Sequence, residues 1–334
     1  MKVKVALLGA GIAAGWHLQN LARIESVEIA GICDQVQQRA EATARAWNVQ
    51  PYVDLEEMLD REKPDALYIC IPPYAHSGQE FLAIERGIHL LVEKPVHLDL
   101  AQGERIARAI EQQRIISSSG YHWRYYNTVE AARATLQERS IGLVMGQWLG
   151  GIWDAPWWVT RAKSGGQIVE QVSHFFDTLR YLVGEVKRVS GGLGAKGLVT
   201  DLEGYDLHDA ATVNLQFANG VVGNVSNTCI APRAFRLQMT FVGRKFVLDL
   251  SIDQLRMVDG DRETVIRNHA GAERASHVAR LDQTFIESVC KGDPSPIRST
   301  YADALRTLEL AQAVQRSIDT GEAVILSDPQ SVGI

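Results

Sequence analysis

The sequence has little that could staple, metallate or embed it. Its four cysteines, Cys33, Cys70, Cys229 and Cys290, are scattered over 334 residues. Such spacing makes neither a disulfide framework nor a metal cluster, so a reducing, cytoplasmic setting and no metal are expected. No apolar run approaches the roughly 20 residues that a membrane helix requires. The first nine residues turn to glycine too soon for a signal peptide. Positive charge is short as well. A formal net charge of -6 and a pI near 5.9 argue against nucleic acid or an anionic membrane as partner. Internal repeats and low-complexity segments are missing too. The 46% hydrophobic and 22% charged residues are ordinary for a globular enzyme. The length suggests two domains with cores of their own.

The chain is organised around residues 87–95, an apolar strand that stops abruptly at Glu93-Lys94-Pro95. Ligands of open α/β sheets sit at the carboxyl ends of strands, so this acid and base lie where chemistry is usually done. Pro95 ends the ladder and restricts Lys94 to an extended or turn conformation. A solvated strand end is the plainer reading of the same three residues.

Residues 3–8 read as a first strand running into Gly9-Ala10-Gly11-Ile12-Ala13-Ala14 and then a helix. This is the strand, glycine turn and helix of a dinucleotide site, with Ala14 in the third glycine place. Gly9 permits the tight turn. Gly11 admits a pyrophosphate to the backbone, where the helix N-terminus at Ile12 and Ala13 offers its N–H groups. A second strand, 27–33, ends at Asp34, placed to accept hydrogen bonds from the adenosine ribose. Its charge repels a 2′-phosphate and favours NAD. Arg39, close by on the next helix, softens that preference and leaves NADP open. The strand at 65–71 ends in Ile71-Pro72-Pro73 and reaches His76, either a helix cap or a cofactor contact. Strands and helices alternate to about residue 120, which predicts a parallel, doubly wound sheet.

The aromatic stretch Tyr121-His122-Trp123-Arg124-Tyr125-Tyr126 then marks the crossing into a second domain, where ligand clefts are often lined. Beyond it the strands are longer and alternate, with candidates at 143–153, 186–195, 210–217, 221–229, 235–242 and 246–250. Asn219-Gly220 signals a hairpin between two of them. This half is predicted to be α+β, a large, mainly antiparallel open sheet with helices on one face. The other face would serve as a subunit interface, giving a homodimer or homotetramer. One helix interrupts the strands, from Gly165-Gly166 through residues 167–183 to a stop at Gly184. Glu170, His174, Asp177 and Tyr181 recur on one stripe of it, at spacings of four, three and four. The stripe is either a solvated face or a ligand face. The preceding Trp153-Asp154-Ala155-Pro156-Trp157-Trp158 offers flat rings that stack on a sugar or nicotinamide, or that simply pack. A tail helix at 301–320 and a last strand at 323–326 carry no functional signal. The domain division expected is 1–121 for cofactor and 122–334 for substrate and oligomerisation, with the tail helix free to pack back on the first domain.

Together the residues resemble the Gfo/Idh/MocA family of oxidoreductases. The resemblance rests on Gly9-x-Gly11, Pro72-Pro73-x-x-His76, Glu93-Lys94-Pro95, Gly165-Gly166 with His174 and Asp177, and Ser317-Ile318-Asp319-Thr320-Gly321. It covers nearly the whole chain. It implies an N-terminal Rossmann domain, a C-terminal open-sheet domain, oligomers, and a cis bond before Pro95. Two positions depart from the family pattern: Glu170 stands where members carry Asp, and Gln167 where they carry a third glycine.

The expected chemistry is NAD-dependent oxidation of a secondary hydroxyl on a sugar, polyol or inositol. Lys94, in its neutral form, takes the hydroxyl proton. His174 bonds or relays from the same hydroxyl, and Glu170 orients His174. His122, Arg124 and Trp153 join Lys94 and His174 as substrate contacts. The cofactor contacts are Gly9, Gly11, Ile12, Ala13, Asp34, Arg39, Ile71, Pro72, Pro73, His76, Glu93 and Lys94. Two alternatives stay open. One is a glycosidase that uses NAD for transient oxidation and elimination. The other is a non-catalytic NAD-dependent sensor, which would need neither Lys94 nor His174.

Overall fold

The structure, a computed structural model, describes residues 2–268 and 274–326. The end of the expected second domain, 327–334, lies outside the described residues. The chain forms two compact units. One holds the described residues to 125 together with 274–305; the other holds 126–268 together with 306–326.

In the first unit the elements are β1 Val3–Leu8, α1 Ile12–Leu21, β2 Val27–Cys33, α2 Gln37–Trp47, β3 Gln50–Tyr52, α3 Leu55–Glu62, β4 Ala66–Ile69, α4 Gln79–Ile84, β5 His89–Val92, α5 Leu100–Gln112 and β6 Ser117–Ser119. They make one parallel sheet in the order β3-β2-β1-β4-β5-β6. The order reverses beside β1, which creates the switch point where such sheets bind ligands. Strands buried on both faces must be apolar throughout, and β4, Ala-Leu-Tyr-Ile, is fully buried. Two helices begin at aspartate caps that follow the usual chemistry: Asp54 accepts from the Glu57 N–H and Asp99 from the Gln102 N–H. The bond between Lys94 and Pro95 is cis, as the resemblance implied.

The second unit contains α6 Asn127–Glu138, β7 Ile141–Leu149, α7 Arg161–Ser164, α8 Ser173–Val183, β8 Val186–Ala195, β9 Ala210–Phe217, β10 Val222–Thr228, β11 Arg236–Gly243, β12 Phe246–Ser251, β13 Gln254–Asp259 and β14 Arg262–Arg267. Helix α9, Arg274–Lys291, returns to the first unit, and α10, Tyr301–Thr320, precedes β15, Val324–Ile325. The strands form a nine-stranded sheet in the order β14-β13-β12-β11-β7-β10-β9-β8-β15. Among the described residues of this sheet only β7 and β10 pair in parallel. Helix α8 packs on this sheet where Gly146 leaves room, since a Cβ there would sit 3.2 Å from the Phe175 ring. On the other face Asn224 bonds Asn214 and Thr212, and Met145 and Val222 are exposed.

Several elements differ from the sequence expectation. The strand expected at 143–153 stops at Leu149, because Gly150 and Gly151 come next. The hairpin β13–β14 turns at Gly260, in the left-handed region at φ 58°. Helix α9 places Leu281, Phe285 and Ile286 in the core of the first unit beside Leu7, Leu18 and Tyr68. Each such side chain contributes about 1.5–3 kcal/mol, so the returning segment is a structural part of that unit.

Candidate active site

The parallel register aligns the candidate site residues of the first unit. Leu8 pairs with Cys33 and with Ile69, Ile69 pairs with Val92, and Val92 pairs with Ser119. Neighbouring strands lie about 4.8 Å apart. The glycine turn after β1, Asp34 after β2, Ile71-Pro72-Pro73 after β4 and Glu93-Lys94 after β5 therefore line one edge of the sheet.

Gly9 and Gly11 have different reasons to be glycine. Gly9 sits at φ 96°, and a Cβ would lie 2.3 Å from the Cys70 carbonyl oxygen, so the fold itself forbids a side chain. Gly11 has φ -87° and open space around its missing Cβ. Nothing within the protein requires glycine there, whereas an approaching pyrophosphate does. Helix α1 starts at Gly11 without a side-chain cap or an acid in its first turn, and Ile12 is exposed. Its first N–H groups have no partner within the helix. These residues fit a bound dinucleotide.

Asp34 is buried and accepts from the N–H of Ala10 at 3.0 Å and of Val36 at 2.8 Å. The Arg39 Nε lies 3.5 Å from it. Each carboxylate oxygen retains acceptor capacity for a ribose hydroxyl. Asp34→Ser should weaken NAD binding by about tenfold, the worth of a hydrogen bond to a charged group, and NADP binding by less. Fluorescence titration with both reduced cofactors checks the ratio.

His76 does not cap the next helix, α4; Gly78 holds that place. The imidazole is instead buried with its Nδ1 2.6 Å from Glu80 Oε1, itself fully buried. Arg124, expected at the substrate, is also buried, its guanidinium 2.5 Å from Asp303 and bonded to the Arg298 carbonyl. The His122 ring lies 4.6 Å from that of His277.

Glu93 is held on several sides. Its Oε2 accepts from the Lys94 N–H at 3.1 Å, and its Oε1 lies 3.1 Å from Nε2 of His17. A Cβ on Gly120 would sit 2.4 Å from Oε2, so glycine there makes room for the carboxylate. His17 Nδ1 lies 2.6 Å from Asp282, which also accepts from Asn20 at 2.8 Å. Burial alone pushes the His17 imidazole down. The Asp282 charge and hydrogen bond, followed by those of Glu93, outweigh it and raise His17 to about 10. Sequence reasoning does not reach His17, Asp282 or Gly120. Histidine in a helix of apolar spacing, five residues before its C-cap at Ala22, carries no sign of its distant partners.

That raised value fixes a pH dependence. His17 contributes its stabilisation in full below its ordinary 6.5 and loses it as pH rises through about 10. Between these limits unfolding free energy should fall by up to about 1.4 kcal/mol per pH unit. Denaturant midpoints over that range check it, and a rising or flat trend would contradict it.

In the second unit Gly165 and Gly166 both adopt positive φ, at 78° and 82°, and end α7. The next turn, Ile168–Val172, is a π-helix before α8 begins. One extra residue in that turn shifts Glu170 around the axis relative to His174. Glu170 Oε2 accepts from the Trp158 indole N–H at 2.7 Å. His174 and Asp177 are buried, which removes the solvated-face reading for both. The His174 ring lies parallel to that of Trp148, with centroids 6.4 Å apart. Trp153, half-buried, packs on a cluster of Trp158, Leu207 and Cys229. Among the described residues no cluster of three acids, histidines or cysteines could hold a metal.

Two family models match this chain. Residues 3–121 match the oxidoreductase family with NAD-binding Rossmann fold, and residues 130–248 match the Gfo/Idh/MocA C-terminal domain. Myo-inositol 2-dehydrogenase of Thermotoga maritima is 23% identical, over 98% of this chain and 99% of its own. The NAD(+)-dependent scyllo-inositol 2-dehydrogenase of Bacillus subtilis is 26% identical, over 97% and 96%. Among solved structures, levoglucosan dehydrogenase in complex with NADH superimposes with a TM-score of 0.89 at 19% identity, covering 98% of this chain and 100% of that one. The chain thus belongs to the Gfo/Idh/MocA family of NAD-binding oxidoreductases.

Proposed function

We propose that this NAD-dependent dehydrogenase oxidises a secondary hydroxyl of a sugar, polyol or inositol-type substrate. The observation that carries the reading is the shared sheet edge, where Lys94 stands at the end of the same sheet as the turn that fits the dinucleotide. A bound nicotinamide would supply the hydride acceptor for the substrate carbon. Lys94 Nζ takes the hydroxyl proton, so the carbinol becomes a carbonyl as hydride and proton depart. His174 donates a hydrogen bond to the same oxygen, and Glu170, anchored by Trp158, orients it. The remaining cofactor contacts are those expected at Gly9, Gly11, Ile12, Ala13, Asp34, Arg39, Ile71, Pro72, Pro73, His76 and Glu93. His122 and Trp153 present their partly exposed rings to substrate. Arg124 supports the segment that carries His122.

The division at 121/122 belongs to the same proposal, with 274–305 added to the cofactor-binding part because it packs there. So does a cytoplasmic setting. No helix among the described residues is long and apolar enough to cross a membrane, and all four cysteines are free. The exposed face of the large sheet, with Met145 and Val222 on it, is the proposed interface of a homodimer or homotetramer. Light scattering of the eluted protein tests this, and a monomer at micromolar concentration overturns it.

A panel of sugars, polyols and inositols, offered with NAD and NADP and followed at the reduced-cofactor absorbance, tests the activity. Accumulating NADH supports it. Substrate loss without NADH would favour transient oxidation instead, and tight NADH binding without any turnover would favour a sensor.

A further inference from the structure

The polar groups behind Glu93 are more extensive than a strand end requires. Helix α9 packs on α1 and β1, and among the apolar residues it turns inward is a carboxylate, Asp282, with no exposed surface. Its Oδ1 meets Nδ1 of His17 at 2.6 Å. On the far side of the same ring, Nε2 meets Glu93 Oε1 at 3.1 Å. The other Glu93 oxygen accepts from the Lys94 N–H. An unbroken path therefore runs from a residue of α9, remote in the chain, to the backbone of the proposed base.

The geometry also sets the state of the ring. Both imidazole nitrogens face carboxylate oxygens, and only the doubly protonated form can donate at both. A neutral ring would turn a lone pair on one carboxyl unless that carboxyl kept a proton; burial does push Asp282 up, while the His17 charge and the hydrogen bonds from His17 and Asn20 work against it. Among the described residues, the other groups named around the ring add no charge. Asn20 bonds Asp282, Tyr68 meets His17 edge-on at 5.1 Å, and Cys70 lies on the same strand end. Burial pushes both the Tyr68 phenol and the Cys70 thiol well up, so both stay neutral. Two carboxylates thus share one imidazolium. Gly120 closes the remaining side, since any side chain there would displace Glu93.

We infer that Asp282, His17 and Glu93 form a buried charged relay that positions Lys94 for proton transfer, which makes Asp282 and His17 positioning residues for the reaction. The inference rests on the reading of Lys94 as the base. Stability alone does not explain the arrangement. Buried ion pairs can often be replaced by well-packed apolar residues without loss, yet this one ends on the backbone amide of Lys94. It also accounts for a returning helix that supplies a carboxylate as well as apolar surface.

Two measurements on the full chain test it. The first is the nitrogen chemical shifts of the His17 ring in the unaltered protein with NADH bound, at a pH about two units above the ordinary histidine value. Both nitrogens protonated is the expected result. A neutral ring overturns the inference, and this arm needs no variant to fold. The second is Asp282→Asn, which keeps the shape and removes one carboxylate. His17 should then lose its proton nearer neutrality. With the substrate found in the panel, kcat should fall by about tenfold and show an alkaline limb nearer neutrality than the parent's, while KM for NAD stays within about threefold. Phe285→Leu serves as the control, lowering thermal stability without moving that limb. A folded Asp282→Asn with the parent's kcat and pH profile overturns the inference. Should Lys94→Ala keep full turnover, the reading of Lys94 fails, and the ring shifts still report whether the relay exists.

Discussion

Lys94→Ala lowers kcat by about 10²- to 10⁴-fold, the range a positioned general base contributes, while NADH affinity changes by less than about tenfold. The backbone around residue 94 has supports other than its side chain. The Glu93 carboxylate holds its N–H, and Val92 is locked between Ile69 and Ser119. The alanine variant should thus keep the shape of the edge and lose only the acceptor. Lys94→Arg should be nearly as slow, because a guanidinium stays protonated and cannot take the hydroxyl proton. Partial recovery of the alanine variant by an added primary amine would point to the missing group as the base. Unchanged turnover in Lys94→Ala, measured with the best substrate of the panel, would end the proposed mechanism.

The candidate site residues on strand ends were legible because they follow from local order. A strand, a glycine turn and an acid at the end of the next strand are contiguous signals, and parallel register then aligns them without further information. The large sheet was legible for a similar reason, since alternation and Asn219-Gly220 act at short range. What escaped depends on partners remote in the chain. The apolar spacing of Val278, Leu281, Phe285 and Ile286 is visible as a helix, but nothing in it says which core it joins. His17 looks like any histidine in an apolar helix until Asp282 and Glu93 are placed on either side of it. Glu170 shows a further limit. Spacing of four from His174 assumes an unbroken α-helix, and the π-turn at Ile168–Val172 removes that assumption. Two adjacent glycines before it were the available sign of irregular backbone. His76 fits both a cap and a contact by its place in the chain, and only the identity of Glu80 at the fourth place after it hints at the buried pair.

The two glycines of the first turn should fail in opposite ways, which separates fold from cofactor binding. Gly9→Ala places a methyl group 2.3 Å from the Cys70 carbonyl, at a φ of 96° that L residues rarely adopt. A backbone oxygen cannot swing aside as a side chain would, so β1 and β4 must part at their ends. About 2–4 kcal/mol of stability should be lost, combining overpacking with the unfavourable φ. Gly11→Ala meets nothing within 4 Å and keeps an ordinary extended φ of -87°. Its stability should stay within about 0.5 kcal/mol of the parent. Its methyl group nonetheless occupies the approach to the first turn of α1, where a pyrophosphate would bring its oxygens to the N–H groups. NADH affinity should therefore fall by about tenfold or more, since each lost charge-assisted hydrogen bond costs about 1.5–3 kcal/mol. Denaturant midpoints and NADH fluorescence titration on both variants check the pair. If Gly11→Ala bound NADH as tightly as the parent, the glycine would serve neither fold nor ligand, and the dinucleotide would have to approach the sheet edge away from this turn.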